Sequence, residues 1–418
     1  MEDFSKLQNS KYKKHCIFCK SPYHDYRNCP VVYKMAAQKK SNKQFKKDYY
    51  GESPNLFVGN YGYPKVNVGF LNTEEYADHD EPVKWAEKNK KIPEIITKRT
   101  ELINSHFSSN VNLNQGLTTN KVNEKLLDLS KEVSMTKTPA SMELNLEKTP
   151  GFKLNFHQDA KPHGPSVAVK KAILTENTKI DPRVEKVVND DLKAVQGINK
   201  LYKKGNDSYF LTKLLTIGNL GLQKNRKLVP TRWGITATDD TIGKQLIKEI
   251  KDFQESNLKI YFGGYLGNNY LIMLFDDVWS YELFEGYLPI IKNNLSAWET
   301  DYENYHGRKY YVEETAGGYY AARLSILEKL VEEKKQSAVL ALRFITTEYT
   351  APLGVWVVRE AVKKAISSNP ISFNSREEML NYAKSFCQEK FGYDITALLT
   401  RSKLLSNVKK QVKLSNFF

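Results

Sequence analysis

The 418-residue sequence predicts an α+β fold. Segments rich in β-branched and aromatic residues interleave with segments of helical period, no regular βαβ spacing orders them, and no internal repeat is present. Apolar residues make up 40% and aromatics 12% of a chain long enough for two or three domains and a substantial core.

The elements follow in order. KMAAQKKSNKQFKKD (34–48) reads as a linker or an exposed basic helix, and NLFVGNYGYPKVNVGFL (55–71) as strand and turn, its strand residues broken by glycines and one proline. KVNEKLLDLSKEV (121–133) predicts a helix, because Val122, Leu126, Leu127 and Val133 keep roughly helical spacing. Pro139 and Pro150 break the stretch 134–152. Further on, KIYFGGYL and YLIMLF predict a β-hairpin whose loop, GNN at 267–269, supplies positive-φ residues. SAVLALRFITTEY (337–349) predicts a strand. Helices are expected over 240–254, 318–334, 354–367 and 376–389; Ser375 and Glu378 form a capping-box start for the last, and SSNP at 367–370 stops the one before.

Charge is concentrated at the ends. Of the net +15, residues 1–50 hold +8 (12 Lys/Arg against 4 Asp/Glu) and residues 401–418 hold +5, leaving +2 for the 350 residues between. Basic ends of this kind attract a polyanion without reading its sequence, or simply solubilise the chain. The longest uninterrupted apolar run, YLIMLF, is far short of the ~20 residues a bilayer crossing needs. MEDFSKLQNS lacks the apolar stretch of a signal peptide, so a cytoplasmic protein is expected.

Three of the four cysteines crowd into CIFCKSPYHDYRNC, which places Cys16, Cys19, His24 and Cys29 in the spacing C-x2-C-x4-H-x4-C. Two thiolates two residues apart grip one face of a tetrahedral Zn2+ and the second pair closes the other, with His15 as an alternative to His24. Four protein ligands leave no open position, so one structural zinc is expected here. This is the spacing of a zinc knuckle, and Phe18, Lys20, Tyr23, Tyr26 and Arg27 lie within it as contacts for single-stranded nucleic acid.

The body holds two weaker clusters. KNRKLVPTRW (224–233) groups Lys224, Arg226, Lys227 and Arg232 with Trp233, a phosphate-and-base contact pattern. Directly after it, Thr238, Asp239, Asp240 and Thr241 can ligate a divalent ion such as Mg2+, or Asp239 can cap the helix expected from 240. The second cluster, DYENYHGRKYYVEETAGGYYAAR (301–323), sets His306 and Arg308 beside Asp301, Glu303, Glu313 and Glu314. Gly317 and Gly318 then open a helix that carries Arg323. A glycine pair at a helix start can receive phosphate and His306 can serve as general acid or base, whereas the alternative is a Tyr-rich packing surface with its charges paired. His163 reads as a turn residue, and the pair Asp276–Asp277 as the start of a turn or helix. The chain closes on QVKLSNFF, whose Leu414, Phe417 and Phe418 either fold back on the body or belong in a groove on a partner.

Several stretches together resemble the archaeal Nre DNA-repair family: FVGNYGYPKVNVG, HGPSVAV, PRVEKVVNDDLKA, GLQKNRKLVPTRWGITATDD, DYENYHGRKYYVEETAGGYYAARLSILEKL and PLGVWVVRE. The resemblance runs from the cysteine cluster to the last residue. It implies a zinc-binding module and linker at 1–48, an N-terminal region at 49–285, a C-terminal region at 286–403 and a tail at 404–418. The family's zinc site is usually four cysteines at slightly wider spacing, and His24 stands here in place of one. Its members typically end in a PIP box for the sliding clamp, PCNA, which this resemblance places on Gln411, Leu414, Phe417 and Phe418. The implied function is a DNA-repair factor that binds DNA and the clamp. The alternatives are a clamp-delivered DNA-processing enzyme and a zinc-knuckle RNA-binding protein.

Overall fold

Two β-structures, one closed and one open, organise the chain. The computed structural model describes residues 16, 29–41, 46–113, 121–151, 164–292 and 294–410. Helix α1 (Pro30–Ser41) leads into strands β1 (Asp48–Val58) and β2 (Lys65–Thr73), then helices α2 (Pro82–Glu87) and α3 (Ile92–Glu101). Strand β3 (Ile103–Asn110), helix α4 (Lys121–Ser134), β4 (Ala140–Leu146) and β5 (Ser166–Leu174) complete this part.

The five strands close into a barrel in the order β1-β2-β3-β5-β4, with β4 returning to β1. The β3–β5 pair is parallel and every other neighbour antiparallel. With α4 standing between the third and fourth strands, this is the connectivity of an OB-fold barrel. Its interior follows from strict alternation: in β3, Ile103, Ser105, Phe107 and Ser109 are buried while Asn104, His106, Ser108 and Asn110 face outward. Val58, Val68, Phe70, Met142 and Leu144 fill the rest, and Leu126 and Val133 of α4 join the same core.

Four helices come next: α5 (Pro182–Asn189), α6 (Ala194–Tyr202), α7 (Ser208–Thr216) and α8 (Thr231–Ile250). Local chemistry starts two of them. Asp181 accepts from the Arg183 N–H ahead of Pro182, and Asp207 accepts from the Phe210 N–H. The remaining elements are β6 (Gln254–Glu255), β7 (Lys259–Tyr265), β8 (Asn268–Phe275), β9 (Ser280–Tyr287), α9 (Leu288–Ile291), β10 (Glu299–Glu303), α10 (Ala316–Glu333), β11 (Lys335–Gln336), β12 (Ala338–Ile345), α11 (Trp356–Ile366), β13 (Ile371–Ser372), α12 (Arg376–Phe391), α13 (Thr396–Arg401) and α14 (Lys403–Lys410).

Six of these strands form an open sheet in the order β10-β9-β12-β8-β7-β13, in which β12 runs parallel to β9. Side chains alternate across it. Tyr270, Ile272, Leu283, Val339 and Ala341 pack under α8, α10 and α11, whereas Leu271, Met273, Phe284, Leu340 and Leu342 pack against α12 to α14. Burial on both faces explains why β8 and β12 read as continuous apolar runs.

The α+β reading of the body is correct, and the hairpin, the β12 strand and helices α4, α10, α11 and α12 lie where they were expected. Two expectations need correcting. The hairpin turns at Leu266–Gly267, with φ of +51° and +75°, one residue ahead of the expected GNN. Helix α8 begins at Thr231 rather than 240, because Pro230 fixes the preceding turn and Thr231, Gly234 and Thr236 dilute the helical signal in its first turns. The six-stranded sheet also draws strands from both sides of position 285. Among the described residues no helix is long and apolar enough to cross a membrane.

Candidate functional site

The start of α8, the start of α10, the start of α11 and the sheet beneath them enclose a cleft of ≈ 810 Å³. Helix α8 contributes Arg232, Trp233, Thr236, Asp240 and Lys244 to its wall, and the loop before α10 contributes Lys309, Tyr310 and Tyr311. Gly317 and Gly318 form part of the same wall, with Glu285 and Arg343 at the base.

The start of α10 is closely packed at its two glycines. A Cβ on Gly317 would stand 3.1 Å from Val355 Cγ2 and 3.3 Å from Thr236 Oγ1, and one on Gly318 would stand 3.3 Å from Glu285 Oε2. The two glycines therefore let α10 approach α8, α11 and the buried Glu285–Arg343 pair together.

Three buried arginines hold these elements in place. Arg343 of β12 donates to Glu285 Oε2 at 2.7 Å and to Asn268 Oδ1 at 2.5 and 3.1 Å. Arg323 of α10 donates to Glu303 Oε2 and to Asp240 Oδ1, both at 2.7 Å, and lies over the Tyr320 ring. Arg359 of α11 donates to both oxygens of Asp239, at 2.6 and 2.5 Å, and lies over the Tyr209 ring. Burial pulls the pKa of Arg359 down, but the charge of Asp239 together with the Tyr209 contact and the hydrogen bonds to both holds the guanidinium above its usual value. The same balance, with Glu303 as partner, holds for Arg323.

This geometry sorts the sequence-derived residues. Asp239 lies in the middle of α8, so it is not a helix cap. It is fully buried, both of its oxygens accept from Arg359, and it is not part of the cleft lining. Asp240 is held by Arg323 and by Lys244 one helical turn on. Among the described residues no group of three or more His, Cys, Asp or Glu side chains could hold a metal ion. His306 sits exposed in a turn, outside the cleft lining, with its N–H on Asn304 Oδ1.

Arg308 acts on its own loop, donating to the carbonyls of Tyr302, Tyr310 and Tyr311 and pairing with Asp301. Asp301 in turn accepts from the backbone N–H groups of Glu313, Glu314 and Thr315. Burial would raise its pKa, but these bonds dominate and keep it below the usual carboxylate range. The second cluster is thus a positioning device that presents Lys309, Tyr310 and Tyr311 to the cleft.

Of the basic group before α8, Arg226 donates to the carbonyls of Gly221 and Val188, which commits it to the turn and removes it from the ligand-facing set. Lys224, Lys227, Arg232 and Trp233 are exposed. Cys16 and Cys29 meet in a small buried cluster with Val31, and the Cys29 sulfur receives the Cys16 side chain and the Val31 and Val32 N–H groups. Burial pushes the Cys29 thiol up to about 12, against the lowering effect of those two N–H groups. Cys19, His24, His15, Lys20, Arg27 and His163 lie outside the described residues, as do Gln411, Leu414, Phe417 and Phe418.

Sequence reading missed Glu285 and Arg343 in the cleft lining, and the buried Asn268 that holds Arg343. The available signal was Arg343 itself, a lone charge inside the apolar run SAVLALRFI.

The chain belongs to the archaeal Nre family: the model described as "Archaeal Nre, N-terminal" matches residues 24–293 and "Archaeal Nre, C-terminal" matches residues 303–417. Among its relatives is "DNA repair protein NreA" of Haloferax volcanii, 34% identical over 76% of this chain and 77% of the relative. "DNA repair protein NreA" of Archaeoglobus fulgidus is 34% identical over 85% of this chain and 88% of its own, and "DNA repair protein NreB" of that organism is 31% identical over 88% and 92%. No solved structure matches the chain.

The buried pairs make a testable statement about stability. Arg359→Leu strands the Asp239 carboxylate in the interior and is expected to cost about 3–5 kcal/mol in urea unfolding, while the double substitution Asp239→Leu/Arg359→Leu recovers most of that loss. A single substitution costing no more than a surface change would contradict the assignment.

Proposed function

We propose that this chain is a DNA-repair factor that binds DNA through its basic, aromatic surface and is held there by the sliding clamp PCNA. The observation that carries the reading is the spacing Gln411, Leu414, Phe417 and Phe418 in a chain whose relatives are named DNA repair proteins. A single helical turn, adopted on the partner, would gather Leu414 and the two aromatics into one apolar cluster that fits a groove, and Gln411 would offer an amide to its edge. Lys409, Lys410 and Lys413 favour an acidic partner surface and speed encounter. Helix α14 leads directly into this segment and is anchored by buried Leu404, Leu405 and Val408.

A structural zinc belongs to the same reading. Cys16, Cys19, His24 and Cys29 would hold it and so order a basic segment too small to fold on a core of its own. The reading as a binding factor is supported over an enzymatic one by how the charged groups are used: Asp239 and Asp240 are engaged by arginines, and His306 stands outside the cleft.

Calorimetry with the cognate archaeal clamp tests the first part. Phe417→Ala/Phe418→Ala is expected to abolish binding with the thermal unfolding profile unchanged, and undiminished affinity would overturn the clamp assignment. For the zinc, metal analysis of protein purified without chelator is expected to give about one zinc per chain, lost in Cys16→Ser; finding none in the unaltered protein would refute it.

A further inference from the structure

We propose that single-stranded DNA lies along one continuous strip that starts on the β1–β2 loop of the barrel and ends in the cleft. This deepens the DNA-binding part of the function proposed above and rests on it.

The strip begins with aromatic exposure that packing does not explain. In the loop between β1 and β2, Tyr61 is 95% exposed and Tyr63 is 54% exposed, and Phe57 on the outer face of β1 is also exposed. Exposed aromatic rings in such numbers are otherwise matched to a ligand. Phe57 pairs in register with Gly69, which pairs with His106, and the Asn104 side chain lies over Gly69 on this outer face of the barrel. In OB-fold barrels this face and this loop are where oligonucleotides bind, but topology alone assigns nothing, and the residues must carry the argument.

They do so by running on into the cleft. Tyr63 meets Trp233 at the start of α8, with ring centroids 5.4 Å apart, and the Val58 N–H at the end of β1 donates to Thr231 Oγ1 at 2.9 Å. Barrel loop and helix start are therefore one surface. Trp233, 48% exposed, is also part of the cleft wall, where Tyr310 and Tyr311 stand exposed on the other side. Counting Phe57, six exposed aromatic side chains thus lie between the barrel face and the cleft.

Cations border the same path. Arg232 and Lys309 line the cleft. Lys65 pairs with Asn110 at the end of β3, and the bridge between Asn112 and Lys227 brings Lys227 beside it. None of the segments 57–67, 224–233 and 309–311 contains an Asp or Glu. The acidic groups within the cleft, Asp240 and Glu285, are taken up by Arg323, Lys244 and Arg343.

The chemistry selects the strand form. Stacking on an aromatic side chain requires a base whose face is free, which an unpaired strand offers and a duplex interior does not. The cations contribute a sequence-independent attraction to the phosphates. A single strand of a few nucleotides satisfies both requirements.

The structure supplies its own probe. Of the five tryptophans, Trp85, Trp279, Trp298 and Trp356 are buried and Trp233 is exposed, so quenching of tryptophan emission by oligo-dT reports on Trp233. Full-length protein titrated with a dT oligonucleotide is expected to show that quenching, and Trp233→Phe is expected to abolish the signal while retaining much of the affinity. Anisotropy with labelled dT is expected to show a loss of about 5- to 100-fold for Tyr61→Ala/Tyr63→Ala and for Trp233→Ala, the range for losing base–aromatic stacks. His306→Ala, off the path, is expected to bind as the unaltered protein does. These positions are exposed, and an unchanged melting profile confirms that the fold is intact.

Full affinity in all the aromatic variants, with DNA still bound, overturns the path and leaves the DNA-binding reading standing. No binding to single-stranded or duplex DNA by the unaltered protein overturns both. Tighter binding to duplex, or to single-stranded RNA, than to dT overturns the assignment of single-stranded DNA as the occupant.

Discussion

The pairing of buried arginines with carboxylates is the constraint on which the rest of the body depends. Arg323, Arg343 and Arg359 are all buried, and each is anchored to a carboxylate on a different element. An arginine cannot shed its charge at any accessible pH, so desolvating it is tolerable only where partners meet its fork of donors. Arg359 thus fixes α11 to α8, Arg323 fixes α10 to α8 and β10, and Arg343 fixes β12 to β9 and β8. The cleft is the space these three connections leave between the helix starts. Its acidic residues are spent on holding it open, which leaves the free charge along its rim positive.

A second connection gives the cleft its reach. Thr231, the first residue of α8, receives the end of β1, and Trp233 two residues later meets Tyr63. A barrel and a helix-covered sheet, each with its own core, are joined where their exposed aromatic side chains lie. The arrangement suits a ligand longer than either surface alone. It also gives the Lys309–Tyr311 loop a purpose: Arg308 and Asp301 hold it with backbone hydrogen bonds although its own tyrosines contribute little to the core.

How much of this was legible varied with the kind of signal each element carries. Helices α4 and α10 to α12 and the β7–β8 hairpin were readable because period, caps and turn residues agree over short spans. The barrel was not. Strand β3 spends five of its eight positions on Ser and Asn, so its alternation is weak in hydropathy even though it is strict in burial. Closure depends on the parallel pairing of β3 with β5, about sixty residues apart, which no local pattern encodes. At the site, Arg232 and Trp233 stood out as a basic–aromatic cluster, whereas Asp239 misled, because an acidic pair after a turn looks alike whether it caps a helix, binds a metal or faces a buried arginine 120 residues on. Tyr61 and Tyr63 lay in plain view; what sequence could not supply was Trp233 standing next to them.

The most direct test of the central claim is amide hydrogen exchange of the full-length protein with and without a single-stranded dT oligonucleotide. The account predicts slowed exchange at 57–65, at 231–236 and at 309–311 together, with the helices at 376–410 unaffected. Protection confined to one of these segments, or falling mainly on the 376–410 face, would contradict a continuous path from barrel to cleft.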